Sequence, residues 1–116
     1  MKITDPGLRE RIIQAMGDSE SVSLLHAIRG SPKDAQTISN ETGVPLSTVY
    51  RKLASLKAAA LAITSSFTLT PEGKRQDLVV AAVTDVRIGI SGDQIEVELT
   101  PTQQNASRIW SELFRS

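Results

Sequence analysis

The chain has 116 residues, 40% of them hydrophobic, and its 13 basic and 13 acidic residues give a formal net charge of zero. That suits one domain of ordinary size with material for a core. No apolar run is long enough for a membrane span and no basic–apolar leader opens the chain, so a cytoplasmic protein is expected. The absence of cysteine fits a reducing compartment and removes thiolate metal sites, disulfides and cysteine nucleophiles together.

Pro6 and Gly7 introduce a helix over Leu8–Met16, with Leu8, Ile12, Ile13 and Met16 on one face, ended by Gly17-Asp18. A second helix over Ser21–Ile28 carries Val22, Leu24, Leu25 and Ile28 and stops at Gly30-Ser31-Pro32. His26 in this apolar helix reads as a core or boundary histidine, with a pH or ligand role as the lesser reading. Residues 34–56, DAQTISNETGVPLSTVYRKLASL, read as two short helices joined by a tight turn. Asp34 is the expected N-cap of the first, whose apolar marks are Ala35 and Ile38. Gly43 stands where that helix must stop, in a left-handed conformation that costs glycine no steric penalty. Pro45 suits the exit from the turn, and Ser47 and Thr48 can cap the second helix. Val49, Leu53 and Leu56, spaced i, i+4, i+7, form its buried face. Thr48, Tyr50, Arg51, Lys52 and Ser55 then point outward, a surface of hydrogen-bonding groups and two cations that fits a DNA major groove.

The fourth helix is expected to end near Ala58–Leu61. Strand-like segments 63–69 and 75–83 flank Thr70-Pro71-Glu72-Gly73-Lys74, where proline and glycine are placed for a β-turn. A further hairpin follows: Val86, Ile88 and Ile90 alternate, Ser91-Gly92-Asp93 turns, and Ile95, Val97 and Leu99 alternate on the return. The last segment opens at Thr100-Pro101-Thr102 and reads as a helix to Phe114, with Ala106, Ile109, Trp110, Leu113 and Phe114 in one stripe. The charges are unevenly spread along this order. Residues 1–30 hold four basic and four acidic groups, residues 31–75 six and three, and residues 76–116 three and six. The basic surplus therefore lies in the segment with the two-helix motif, where phosphate neutralisation would need it.

Helices followed by a β-hairpin give the order of a winged helix-turn-helix domain, and residues 21–83 resemble prokaryotic regulators of this class. GVPLSTVYRKLASLKAAAL looks like their recognition-helix signature, and SFTLTPEGKR looks like their wing. The full layout is most similar to small archaeal regulators of the arsenical-resistance-repressor-like type. The resemblance implies an α+β winged helix-turn-helix with an additional β-hairpin and a C-terminal amphipathic dimerisation helix. It divides the chain into residues 1–83 for DNA binding (helix-turn-helix 34–60, wing 63–83) and 84–116 for dimerisation. It implies a homodimeric, sequence-specific DNA-binding transcriptional regulator, with recognition helix 46–58 in the major groove and wing 70–75 on the minor groove or backbone.

Two departures from the family pattern stand out. Ala60 precedes Leu61 where glycine is usual; alanine at positive φ costs free energy, so the alternative is a helix that runs on and shifts the wing's start. Metal-sensing relatives use cysteine or clustered histidine, whereas His26 is this chain's one histidine, so no metal and no cofactor are expected.

Arg51 is the foremost base-reading candidate, because bidentate pairing to guanine contributes ~1–3 kcal/mol of discrimination. Tyr50 could meet a base edge, a thymine methyl or a phosphate. Ser47 and Thr48 would serve both as caps and as DNA contacts. Gln36 and Thr37 either meet the backbone or are solvated caps. Lys74 and Arg75 suit minor-groove or phosphate contact, against the simpler reading of a basic surface turn. For the dimer interface the candidates are Ile109, Trp110, Leu113 and Phe114, with Leu8 and Ile12 on the partner surface, since twofold operators require paired recognition helices. Nucleophile motifs, phosphate loops and zinc-ligand spacings are missing, so no enzyme is expected; the alternating Glu96 and Glu98 read as the wet side of a strand. The rival function is a winged-helix module that binds protein in a transcription or chromosome-organising complex. Neither operator, sign of regulation nor effector ligand is encoded in any motif.

Overall fold

A computed structural model of the chain describes residues 1–103. The expected helix over the chain's end, with Ile109, Trp110, Leu113 and Phe114, lies outside the described residues. Four helices come first: α1 (Pro6–Met16), α2 (Ser19–Ala27), α3 (Ala35–Thr42) and α4 (Leu46–Ala58). Two antiparallel hairpins follow, β1 (Ala62–Leu69) with β2 (Arg75–Ala81), and β3 (Val83–Ser91) with β4 (Gln94–Pro101).

Aspartate starts each of the first three helices by the same local chemistry. Asp5, Asp18 and Asp34 accept the backbone N–H of Leu8, Ser21 and Thr37, three residues on, which satisfies an orphan donor of the first turn. Asp18 also accepts the Ser21 hydroxyl at 2.6 Å, which is why α2 begins earlier than its apolar pattern suggests. The fourth helix differs. Pro45 is its N-cap and makes no side-chain capping bond, so Ser47 and Thr48 lie inside the first turn rather than capping it. Proline's fixed φ and missing N–H already suit a helix start.

One core runs through the molecule. Ile12, Leu24, Ile28, Ile38, Val49, Leu56 and Leu61 are wholly buried, together with Val97 and Leu99 of the second hairpin. Leu8 and Ile12, expected on a dimer interface, belong to this core, 8% and 0% exposed in the single chain. His26 is exposed rather than core or boundary, since it lies on the flank of α2 opposite Leu24 and Ile28.

Each hairpin is extended by a short piece of distant chain. Lys33 exchanges both backbone hydrogen bonds with Val79, laying the segment before α3 against β2. Met1 and Ile3 bond Leu99 and Val97, which ties the N-terminus to β4. The expected strand over 75–83 is broken at Ala82, whose N–H donates to Leu61 O and whose carbonyl accepts from Thr102. Ala82 is therefore the hinge point between the hairpins. Thr100 and Pro101 finish β4 and do not open a helix. Helices α1–α4 and then the β1–β2 hairpin follow the order expected of a winged helix-turn-helix, with the β3–β4 hairpin added.

Candidate nucleic-acid interface

The turn between α3 and α4 sets the direction of the outward helix. Gly43 has φ 76° and its N–H donates to Ser39 O. Three further bonds close the turn: the Ser39 hydroxyl donates to Val44 O at 2.6 Å, and the Thr42 hydroxyl donates to Ile38 O at 2.7 Å while accepting Val44 N–H at 3.3 Å. Ser and Thr near a helix end make such back-bonds readily; that rule marks Ser39 and Thr42 as turn residues, although hydrophobic periodicity passes over them.

Val49, Leu53 and Leu56 are the buried side chains of α4, as the spacing predicts. At about 100° per residue the rest divides into two flanks and a crest. Ser47 and Ala54 lie along the exposed crest. Tyr50, 62% exposed, and Lys57 line one flank, facing the wing; Arg51 and Ser55 line the other, facing α1 and α2. Thr48 is half-buried.

Lys52 departs from the outward placement expected of it. Its side chain is only 14% exposed, bonded to Asp18 at 2.6 Å with Glu20 at 3.6 Å. The ammonium is held by the acidic N-terminal turn of α2 instead of projecting from the helix. The Lys52 hydrogen bond, reinforced by the Ser21 hydroxyl and N–H, lowers the Asp18 pKa from 3.8 to about 2.

The exit from α4 resolves the question raised by Ala60. The helix stops at Ala58, and Ala60 adopts φ 61° in the left-handed region. Its N–H donates to Lys57 O, and Leu61 N–H donates to Leu56 O at 3.0 Å. These two bonds and the buried Leu56 and Leu61 make a glycine-type helix terminus with alanine in the glycine position. The helix does not run on.

The wing rises directly from that exit. Thr70 shapes its tip: its N–H donates to Lys74 O, its carbonyl accepts Gly73 N–H, and its hydroxyl accepts Lys74 N–H. Lys74 is exposed at the turn. Arg75 is doubly positioned, its guanidinium 4.3 Å from the centre of the Phe67 ring and its Nε 2.8 Å from Asp77 Oδ1. The register pairs Phe67 with Asp77 and Leu69 with Arg75, so these four side chains share the face that deeper down carries the buried Val79. That face looks across a cleft of about 450 Å³ towards Tyr50, Leu53 and Lys57, with Gln36 at the rim.

The expected site residues therefore fall into two groups. Gln36, Tyr50 and Arg75 gather at the cleft between α4 and the wing. Gln36 is exposed and donates to Asn40, while Thr37 is half-buried at the start of α3. Arg51, Lys52 and Ser55 line a groove on the other flank with Arg11, which spans from α1 to donate to Ala58 O at 3.1 Å. Two residues escaped the sequence reading. Lys57 is identifiable from its phase, one turn beyond Leu53. Arg11 is not, because only the packing of α1 on α4 brings it there.

The charge balance differs between the two flanks. The cleft is lined by Lys57 and Arg75 against Asp34 and Asp77. The groove is lined by Arg11, Arg51 and Lys52 against Asp18 alone, so the positive surplus lies on the Arg51 side. Among the described residues no helix is long and apolar enough to cross a membrane, and no three His, Asp or Glu side chains converge to hold a metal ion.

No family model and no curated protein matches the chain. Among solved structures, NolR from Sinorhizobium fredii is similar over 98% of this chain and 97% of that one, with 14% identity and a TM-score of 0.45.

Proposed function

We propose that the chain is a sequence-specific DNA-binding transcriptional regulator that acts as a homodimer in the cytoplasm. In this reading α4 enters the major groove and the wing turn, residues 70–75, lies on the minor groove or backbone. The observation that carries it is the exposed crest and flanks of α4, with Ser47, Tyr50, Arg51 and Ser55 on a helix held by a glycine turn and flanked by a basic hairpin tip. A major groove admits one such helix, and arginine there pairs with guanine through two hydrogen bonds.

Arg51→Ala tests the assignment. Arg51 is exposed and forms no ion pair among the described residues, so its loss leaves the fold intact. Affinity for a selected operator should fall about 5- to 150-fold, the equivalent of ~1–3 kcal/mol, with little change on random DNA. Unchanged binding to both DNAs by anisotropy titration would sink the recognition-helix assignment.

A protein-binding module is the second reading, favoured by the exposed Tyr50, Phe67 and Leu69 around the cleft. Aromatic side chains are enriched where proteins meet. The same variant separates the readings, since DNA affinity depends on Arg51 only in the first.

A further inference from the structure

The two flanks of α4 are served by different neighbours. A helix with its side chains is about 10–12 Å across and a major groove about 12 Å wide, so a helix seated there turns its flanks towards the two phosphate rows. The wing stands over the Tyr50 and Lys57 flank. Over the Arg51 and Ser55 flank stands α1, which contributes Arg11 and Gln14 to the groove. The C-terminal end of the α4 crest has little of its own to offer a phosphate: Ala54, Ser55 and Ala58 are exposed, and both alanines lack a polar side-chain group. Its backbone is adverse, since the carbonyls of a last helical turn bear the negative end of the helix dipole.

Arg11 reverses the character of that end. Its Nε donates to Ala58 O at 3.1 Å, reaching from α1 to the last residue of α4. This bond satisfies a carbonyl at the helix terminus and fixes the plane of the guanidinium. The terminal nitrogens make no hydrogen bond or ion pair among the described residues, so their fork of donors stays open. The carboxylates nearby are engaged elsewhere: Asp18 is bonded to Lys52 at 2.6 Å and to the Ser21 hydroxyl, Glu10 accepts the Gln14 amide at 3.3 Å, and Asp5 caps α1.

We propose that Arg11 is a second phosphate clamp, gripping the DNA backbone at the C-terminal end of α4 on the side away from the wing. The proposal rests on the DNA-binding reading above and extends it to α1, an element to which that reading gives no contact. The open nitrogens fit a two-pronged pairing with a phosphate, which carries no sequence information. Arg11 therefore adds affinity on any DNA, beyond what α4 and the wing supply, whereas Arg51 beside it discriminates between bases. Lysine at this position would hold the charge but not the two-pronged geometry.

Salt titrations of the full chain on a selected operator and on random DNA test the clamp. Arg11→Gln should weaken both complexes by the same factor, about 5- to 10-fold per protomer at about 0.1 M salt, and flatten the slope of log K against log salt by about one per protomer. Arg11→Lys should keep the wild-type slope. Arg51→Ala, run alongside, isolates the underlying reading. If the operator complex depends on Arg51 while Arg11→Gln leaves affinity and slope unchanged, Arg11 only caps α4, and the clamp is overturned with the DNA reading intact. The clamp also fails if Arg11→Gln and Arg11→Lys flatten the slope alike, or if Arg11→Gln weakens the operator complex alone. In either case the side chain acts through the position of α4. A wild-type chain that binds neither DNA overturns the reading itself, and the clamp with it.

Discussion

Ala60 shows how one side chain can stand against local preference when its surroundings outweigh it. A left-handed conformation costs an L-residue about 1–2 kcal/mol. Here two backbone hydrogen bonds and the buried pair Leu56 and Leu61 hold it in place. Ala60→Gly should therefore stabilise the protein by about 0.5–1 kcal/mol, after allowance for glycine's greater freedom in the unfolded chain. For a chain of this size that raises Tm by about 2–5 °C in a thermal melt. A lowered or unchanged Tm would mean that Ala60 does not occupy the left-handed region. The sequence poses this alternative, glycine-type exit or continued helix, without deciding it, because the deciding bonds reach Leu61 and the wing beyond it. Lys52 is illegible for a similar reason. Helical phase places it at the edge of the buried face, and only the approach of α2 turns it inward.

At the level of elements, the parts set by local rules were legible: the Asp34 cap, the Gly43 turn, the period-two hairpins and the buried stripe of α4. The parts set by tertiary approach were not. Arg11 joins the groove through packing of α1 on α4, Leu8 and Ile12 are claimed by the core, and Ala82 interrupts an apparently continuous strand. The contact between α2 and α4 has a measurable signature. Asp18, held to a pKa of about 2 mainly by Lys52, stabilises the folded state while it is charged. A folded pKa below the unfolded value contributes stability that is complete above about pH 4 and is lost as pH falls towards 2. In Lys52→Met the Ser21 bonds remain but the main cause of the shift is gone. Urea unfolding at successive pH values should show wild type and variant converging between about pH 4 and pH 2. A stability difference that stays constant across that window would show that Lys52 acts by packing alone.

For the whole molecule, a net charge of zero gives no long-range attraction to DNA, so under the proposed function affinity would come from a few cations at the surface. Several basic groups near α4 are already engaged: Lys33 with Glu41, Lys52 with Asp18 and Glu20, and Arg75 with Asp77. Arg51, Lys57 and Lys74 form no ion pair among the described residues. With Arg75 partly neutralised, α4 and the wing of each protomer would offer three to four effective charges and those of the proposed dimer six to eight. From these charges the slope of log K against log salt should then be about −5 to −7. Asp77→Asn tests the argument from the opposite direction. It releases Arg75 from its carboxylate while the Phe67 ring still supports the guanidinium, so binding should tighten at low salt and the slope should steepen by about one per protomer. If instead affinity falls in Asp77→Asn, the carboxylate is aiming Arg75 and not restraining it. If neither quantity moves, the wing does not touch the phosphates and recognition belongs to α4 and the groove beside Arg11.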